Sequence, residues 1–281
     1  MKYGIVVDSA CDLTGLEQKR AQNIDFTRVA LKLDIGEQEF VDDLNLNIEE
    51  FMDAMYAYKG KTGSAAPSPQ EWMNAFEKSE YIFAITITSA LSGSNGSAKT
   101  AVDLFKEHYP DRKIHLIDSK STGPGMTLIV HKLTEYMNQD MSFEEIVEKI
   151  DAYCNHVNLL FVLKSLDNLV KNGRISKLAG SIAGMLGIKL LGTATPTGDL
   201  GVVQKCRGKL TAYNRLIEEM ITRGYKGGTV TIAHCFALDT AEYIASCLKE
   251  KFPECAIEIM PTSGLCSYYS EQGGILVGFE S

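Results

Sequence analysis

Hydroxyl side chains and glycines are concentrated in residues 88–97, which read Thr-Ser-Ala-Leu-Ser-Gly-Ser-Asn-Gly-Ser. The apolar run before them, residues 81–87, predicts a β-strand, and residues 97–108 predict a helix. In an open α/β sheet, ligands bind at the carboxyl ends of the strands, where the next helix offers free N–H groups. The segment therefore predicts a site for a carboxylate or a phosphate. A helix-capping loop is the structural alternative.

Motifs for catalysis are missing from the sequence. It contains no Walker loop, no G-x-S-x-G elbow, and no G-x-G-x-x-G after the first strand. The five histidines are too widely spaced to match a metal motif. His234 at a strand end is the best candidate for a role, but a hydrogen-bonded structural histidine is the favoured interpretation. Cys11 is interpreted as a packed thiol and the pair Asp42-Asp43 as solvated charge. The sequence therefore gives no support for ATP, hydrolase, dinucleotide or metal chemistry.

The order of predicted elements indicates the fold class. In the first half, a short apolar strand, a loop rich in Ser, Thr and Gly, and a helix recur three times, with strands at residues 4–7, 81–87 and 114–117. Apolar strands that alternate with helices are typical of a parallel sheet covered on both faces. Ser-x-x-Glu capping boxes at Ser68 and Ser142 mark two more helix starts.

The second half has a different pattern. Turn residues 196–201 separate two predicted strands and indicate a hairpin, and helices are predicted over 178–186, 210–222 and 238–251. We therefore expect an N-terminal parallel-sheet α/β domain over 1–155, which carries the binding loops, and a C-terminal α+β mixed-sheet domain over 156–281. Arg174 follows a short predicted helix, where it either complements the helix dipole or contacts a partner.

Composition narrows the function classes. The 281 residues include 28 basic and 36 acidic side chains, a net charge of −8 that disfavours nucleic acid and anionic membranes as partners. Seven scattered cysteines without a C-x-x-C pair, and the lack of a secretory signal before the first predicted strand, predict a cytoplasmic location. The longest uncharged stretch is half Ser, Thr, Gly and Asn, so no integral membrane association is expected.

Six short motifs, in order along the whole chain, resemble the DegV family. They are Val7-Asp8-Ser9-Ala10-Cys11-Asp12-Leu13, Ser64-Ala65-Ala66-Pro67-Ser68-Pro69, Leu91-Ser92-Gly93-Ser94, Ile117-Asp118-Ser119, Asn172-Gly173-Arg174-Ile175-Ser176 and a glycine-rich C-terminal strand. The resemblance implies a two-domain α/β protein that binds a long-chain fatty acid in a buried tunnel. It also implies a partner, a separate fatty acid kinase that phosphorylates the carboxylate.

The resemblance also implies site residues. The family pattern T-S-x-P-S-P supplies a carboxylate-binding hydroxyl that matches Ser64, and L-S-G-T supplies a second that matches Ser92, followed by Gly93. Thr62 is the alternative if the register differs by two residues. Family members that serve the kinase often carry a histidine where this chain has Tyr269. A phenol can still donate a hydrogen bond to a carboxylate, but it does not titrate near neutrality as imidazole does.

Two other functions remain open. An enzyme, either a small-molecule transferase or a hydrolase, could use the same Ser-rich loops, but it would need a general base close to Ser92. A protein-interaction module would have no lipid tunnel or a tunnel filled with solvent. The leading hypothesis, which follows from the resemblance, is a fatty acid carrier with no catalytic residue of its own, no metal and no cofactor.

Overall fold

A computed structural model describes residues 2–17, 23–139, 141–175 and 187–281. The elements of the first half are β1 (Tyr3–Asp8), β2 (Ile24–Val29), β3 (Lys32–Ile35), β4 (Gln38–Val41), α1 (Ile48–Ala57), β5 (Thr62–Ala65), α2 (Pro69–Phe76), β6 (Tyr81–Thr86), α3 (Ser94–His108), β7 (Lys113–Asp118), α4 (Pro124–Met137) and α5 (Phe143–Cys154). Those of the second half are β8 (Val157–Leu163), α6 (Asp167–Lys171), β9 (Ile188–Ala194), β10 (Leu200–Arg207), α7 (Lys209–Thr222), β11 (Val230–His234), α8 (Leu238–Lys251), β12 (Ile257–Pro261), α9 (Gly264–Ser270) and β13 (Ile275–Glu280).

A four-stranded sheet in the order β2-β1-β6-β7 forms the first half, and every neighbouring pair is parallel. Its two central strands, β1 and β6, are buried on both faces. Ile5 and Val7 point into the main core, whereas Val6 packs in the cluster formed with α2 and α3. Burial on both faces explains the continuous apolar runs, and the predicted parallel α/β sheet is confirmed.

Three short strands form a second, antiparallel sheet in the order β4-β3-β5. These strands were not predicted from the sequence, and Ser64 was expected on one of the binding loops. Ser64 instead lies within β5 and pairs with Leu33 of β3. Strand pairing therefore fixes the position of this hydroxyl more firmly than a loop would.

A six-stranded mixed sheet in the order β10-β9-β8-β13-β11-β12 forms the second half, and the predicted hairpin is β9–β10. Side chains alternate across β8: Leu160 and Val162 pack in the cluster formed with α7 and α8, while Leu159 and Phe161 join the main core. That main core also contains Ile5 of β1, so it is continuous between the two halves. The predicted mixed sheet is confirmed.

The predicted helix starts are confirmed where a cap marks them. Ser68 and Ser142 each accept the N–H of the glutamate three residues later and complete a capping box. The predicted helix over 178–186 lies outside the described residues. None of the described helices combines the length and the apolar character that crossing a bilayer requires.

Candidate functional site

A narrow cavity of about 790 Å³, which includes solvent at its mouth, lies between the first half of the chain and the inner face of the mixed sheet. Most of its wall is apolar, formed by Leu31, Ala66, Ile87, Leu91, Leu159, Phe161, Leu163, Leu169, Leu200, Leu265 and Leu276. This lining suits an apolar group rather than a polar one.

Five of the residues singled out from the sequence line this one cavity: Ser64, Ser92, Gly93, Arg174 and Tyr269. They come from four separate parts of the chain, namely β5, the segment before α3, the segment after α6, and α9. Folding therefore brings hydroxyl groups and one cation together beside the apolar wall.

Ser64 and Tyr269 form a pair. Ser64 Oγ lies 3.0 Å from the Tyr269 hydroxyl oxygen, and either group can be the donor. Two hydroxyl groups carry two protons, and their mutual hydrogen bond uses one. The pair can therefore still donate one hydrogen bond to an oxygen in the cavity.

Thr62, the alternative in the shifted register, is not among the cavity-lining residues. It is nine-tenths buried, and its Oγ1 lies 2.7 Å from the Tyr268 hydroxyl. Asn172 Nδ2 donates to the same phenol oxygen at 2.9 Å. Thr62 thus helps to join β5, α9 and the segment that leads to Arg174.

Ser92 lies just before α3, which begins at Ser94, three residues earlier than predicted. The backbone N–H of Ser94 donates to Ser92 Oγ at 3.2 Å, so the Ser92 hydroxyl proton is free to point into the cavity. A backbone N–H cannot accept that proton. This contact suits a hydrogen-bond donor rather than an activated nucleophile.

The buried carboxylate of Asp8 fixes the segment that carries Ser92. Its Oδ2 accepts the Ser94 hydroxyl at 2.6 Å and the N–H of Ile87 at 2.9 Å, while Oδ1 accepts the N–H of Ala10 at 3.3 Å. Burial raises the pKa of Asp8 to about 6. In the sequence, Asp8 belongs to the first of the six family motifs, but no pattern there indicates this supporting role.

Arg174 is the single charged side chain among the described residues that line the cavity. Its Nε donates to the Leu91 carbonyl at 3.1 Å and its Nη1 to the Asn172 carbonyl at 2.6 Å. A guanidinium has five N–H groups, so three donate to none of the residues that the structure describes. From the sequence, Arg174 was expected to complement a helix dipole or to contact a partner, whereas the structure places it, partly buried, in the cavity wall.

The interpretation of Asp42 as solvated charge is wrong, because the residue is only 1% exposed. Its two carboxylate oxygens accept the N–H groups of Gly264 and Leu265, at 2.8 and 2.9 Å, where α9 begins. Asp12 Oδ1 accepts the N–H of Ser263 at 2.8 Å. These carboxylates anchor the helix that carries Tyr269, and burial raises the pKa of Asp12 to about 6.

The other single residues noted in the sequence have structural surroundings. Cys11 is fully buried, and burial raises the pKa of its thiol to about 12, which makes it a poor nucleophile. His234 Nδ1 accepts the N–H of Ala237 at 3.3 Å. Among the described residues, no cluster of His, Cys, Asp and Glu side chains is arranged to hold a metal ion.

The geometry agrees with the comparisons to known proteins. The profile of the DegV family, described as uncharacterised proteins, matches residues 2–281. This chain belongs to the DegV family. It is 44% identical over 280 residues to a DegV domain-containing protein of Streptococcus pneumoniae, a match that covers all of this chain and 99% of the relative.

Solved DegV structures have the same fold. The Fatty Acid Kinase (Fak) B3 protein of Streptococcus pneumoniae, loaded with linoleic acid, has a TM-score of 0.97 at 44% identity and covers 100% of this chain and 99% of its own. A DegV family protein from Eubacterium eligens, loaded with heptadecanoic acid, has a TM-score of 0.95 at 37% identity and covers 99% of both chains. The resemblance found in the sequence is confirmed.

Proposed function

We propose that this DegV protein binds a long-chain fatty acid, with the tail in the apolar cavity and the carboxylate at Ser64, Ser92, Tyr269 and Arg174. One observation carries the proposal. The hydroxyl residues Ser64, Ser92 and Tyr269 line the same narrow cavity as Arg174, and most of the remaining wall is aliphatic. The relatives loaded with linoleic and heptadecanoic acid support it. A protein-interaction module does not need such a cavity.

The tail supplies most of the affinity in this proposal. Burying about 15 methylenes at about 0.8 kcal/mol each gives about 12 kcal/mol before the costs of ordering the chain. A hydrogen bond to a charged group adds only about 1.5 to 3 kcal/mol. The polar residues therefore decide mainly which end of the ligand stays beside Arg174.

Each polar residue has a distinct task. Ser92 and the Ser64–Tyr269 pair donate hydrogen bonds to the carboxylate, and Arg174 balances its charge. Gly93 is the N-cap of α3 and provides no side-chain cap, so the positive end of a 15-residue helix faces the same region. These tasks are binding tasks, and none requires a reacting group on this chain.

We infer that the bound acid is presented to a separate fatty acid kinase, because the pneumococcal relative is a Fatty Acid Kinase (Fak) B3 protein. Arg174 remains a candidate contact for that partner. Free thiols at all seven cysteines support a role in the cytoplasm. The fatty acid itself is the only bound small molecule that this function needs.

Two measurements test the proposal. Mass spectrometry of small molecules extracted from the purified chain is expected to find a long-chain fatty acid, and its absence after incubation with oleic acid would contradict the function. The double variant Ser64→Ala, Ser92→Ala is expected to lose about 100-fold or more in affinity for oleic acid by titration. Ser89→Ala is the matched control, since Ser89 lies in the same segment but bonds to Asp118 outside the cavity lining.

These measurements, together with thermal denaturation, distinguish a wrongly assigned carboxylate site from a loss of stability in the double variant. If the chain retains a fatty acid and the double variant binds it as tightly as the wild type does, the fold binds lipid but Ser64 and Ser92 are not the carboxylate site. If the double variant melts at a lower temperature than the control, thermal denaturation shows that the effect is structural.

A further inference from the structure

A second, solvent-open cleft lies at one end of the mixed sheet, where α7 and α8 begin. Its lining includes three lysines, Lys164, Lys189 and Lys209. Along β9, Leu190 packs in the main core and Leu191 in the cluster on the opposite face. Lys189 therefore shares the outer face with Leu191, and the cleft is separate from the lipid cavity.

Two of the lysines lie close together at the end of the sheet. Leu163, the last residue of β8, pairs with Leu190 of β9 in antiparallel register. Lys164 follows Leu163 and Lys189 precedes Leu190, so the two lysines flank the last pair of this ladder, and both line the cleft. Like charges that lie close together repel each other, and an anion between them would offset the repulsion.

Lys189 is the residue that points most clearly to a ligand. Its side chain lines the cleft although the residue is only 8% exposed. Among the described residues, none accepts a hydrogen bond from the Lys189 Nζ or forms an ion pair with it. The Nζ lies over the Tyr213 ring, 5.7 Å from the ring centroid. Burial, aided by Lys209 and Lys164, lowers the pKa of Lys189. A buried cation without an anion is costly to the fold.

Two helix N-termini add to the positive potential. The cap residue of α7 is Gly208, which provides no side-chain hydrogen bond, and the first turn of α7 contains no acidic residue. The cap residue of α8, Ala237, provides none either. Asp239 in the first turn of α8 lines the same cleft, but none of the described ion pairs joins it to the lysines. The cleft keeps an excess of positive charge in an acidic protein.

We propose that this cleft binds the phosphate group of a small phosphorylated molecule, with Lys189, Lys164 and Lys209 as counter-charges and the first N–H groups of α7 as hydrogen-bond donors. The depth of Lys189 favours a free solute over the headgroups of a bilayer, because a residue that is nine-tenths buried cannot meet a flat surface. Phe236, 45% exposed in the cleft lining, offers a ring face to the organic part of such a ligand.

Calorimetric titration of the full chain with inorganic pyrophosphate tests the proposal. Lys189→Met removes the charge but keeps the length of the apolar stem, and it is expected to weaken binding at least about tenfold. Lys106→Met removes an equal charge from an exposed position on α3 and should leave the affinity within about twofold. Lys189→Arg keeps the charge and should retain most of the binding.

A second readout separates binding from stability. Lys189→Met is expected to melt at a temperature no lower than the wild type, because it removes an unpaired buried charge, and to retain as much fatty acid. The proposal is overturned if the wild type does not bind millimolar pyrophosphate, or if both methionine variants lose affinity equally. It is also overturned if the chain binds phosphatidylglycerol vesicles through Lys189 but not pyrophosphate.

Discussion

Replacement of Arg174 by methionine tests how the charge of the ligand is balanced. Arg174 is the single charged side chain among the described cavity residues, and three of its N–H groups donate to none of the described residues. One hydrogen bond to a charged group contributes about 1.5 to 3 kcal/mol, which equals a factor of about 10 to 150 in Kd. The apolar wall, the proposed site of the tail, is unchanged in the variant.

The prediction has two parts that one titration series can measure. Arg174→Met is expected to bind oleic acid about 10- to 150-fold more weakly than the wild type. Its affinity for oleyl alcohol, which has the same tail and no charge, should stay within about threefold. The oleic acid affinity of Arg174→Lys should lie between those of the wild type and Arg174→Met. An ammonium keeps the charge but not the planar guanidinium that also bonds to the Leu91 carbonyl. Arg215→Met, at an exposed position on α7, is the control for general loss of charge.

One result would refute the reasoning. If the acid and the alcohol lose affinity equally, Arg174 acts by holding the Leu91 carbonyl and the Ser92 segment in place, and it does not meet the carboxylate. If neither ligand loses affinity, the carboxylate lies elsewhere in the cavity.

Three further variants probe the hydroxyl pair, the tail site and a buried carboxylate. Tyr269→Phe breaks the 3.0 Å contact with Ser64 and should weaken oleic acid binding about fivefold by titration; unchanged binding would remove the phenol from the site. Leu163→Trp fills part of the cavity and should shift the acids retained, measured by mass spectrometry, to shorter chains. Asp12 has a folded-state pKa of about 6, above its unfolded value, so its protonation should stabilise the wild type relative to Asp12→Asn by on the order of 1 kcal/mol between pH 7 and 5. If denaturation curves give the same difference in unfolding free energy between the two proteins at pH 7 and at pH 5, the prediction is wrong.

The fold was predictable where the local pattern has one interpretation. Strands β1 and β6 are buried on both faces, and their apolar runs are distinct from helical patterns. Strand β2 reads Ile-Asp-Phe-Thr-Arg-Val and is mostly half-buried, and β3 to β5 have only four residues each. Such short, partly polar segments become strands because their neighbours pair with them, a property that no local pattern contains.

The site was predictable in its hydroxyl groups but not in its charges. The family motifs identified Ser64 and Ser92 as candidates, and the structure places both in one cavity. Arg174 contacts Leu91 across 83 residues of sequence, and no spacing rule connects positions so far apart. Asp42 resembles its exposed neighbour Asp43 in sequence, and only the packing of α9 against it distinguishes the two.

Buried carboxylates explain why the candidate donors can be in place before any ligand arrives. Asp8 accepts three hydrogen bonds and fixes the start of α3 beside Ser92, while Asp42 accepts two and fixes the start of α9, which carries Tyr269. Desolvation raises the pKa of both acids, so each anchor costs free energy that its hydrogen bonds must offset. In return, the two segments need not be ordered on binding. The entropic cost of forming the complex then falls mainly on the flexible chain of the ligand, which is also the part that gains most from burial.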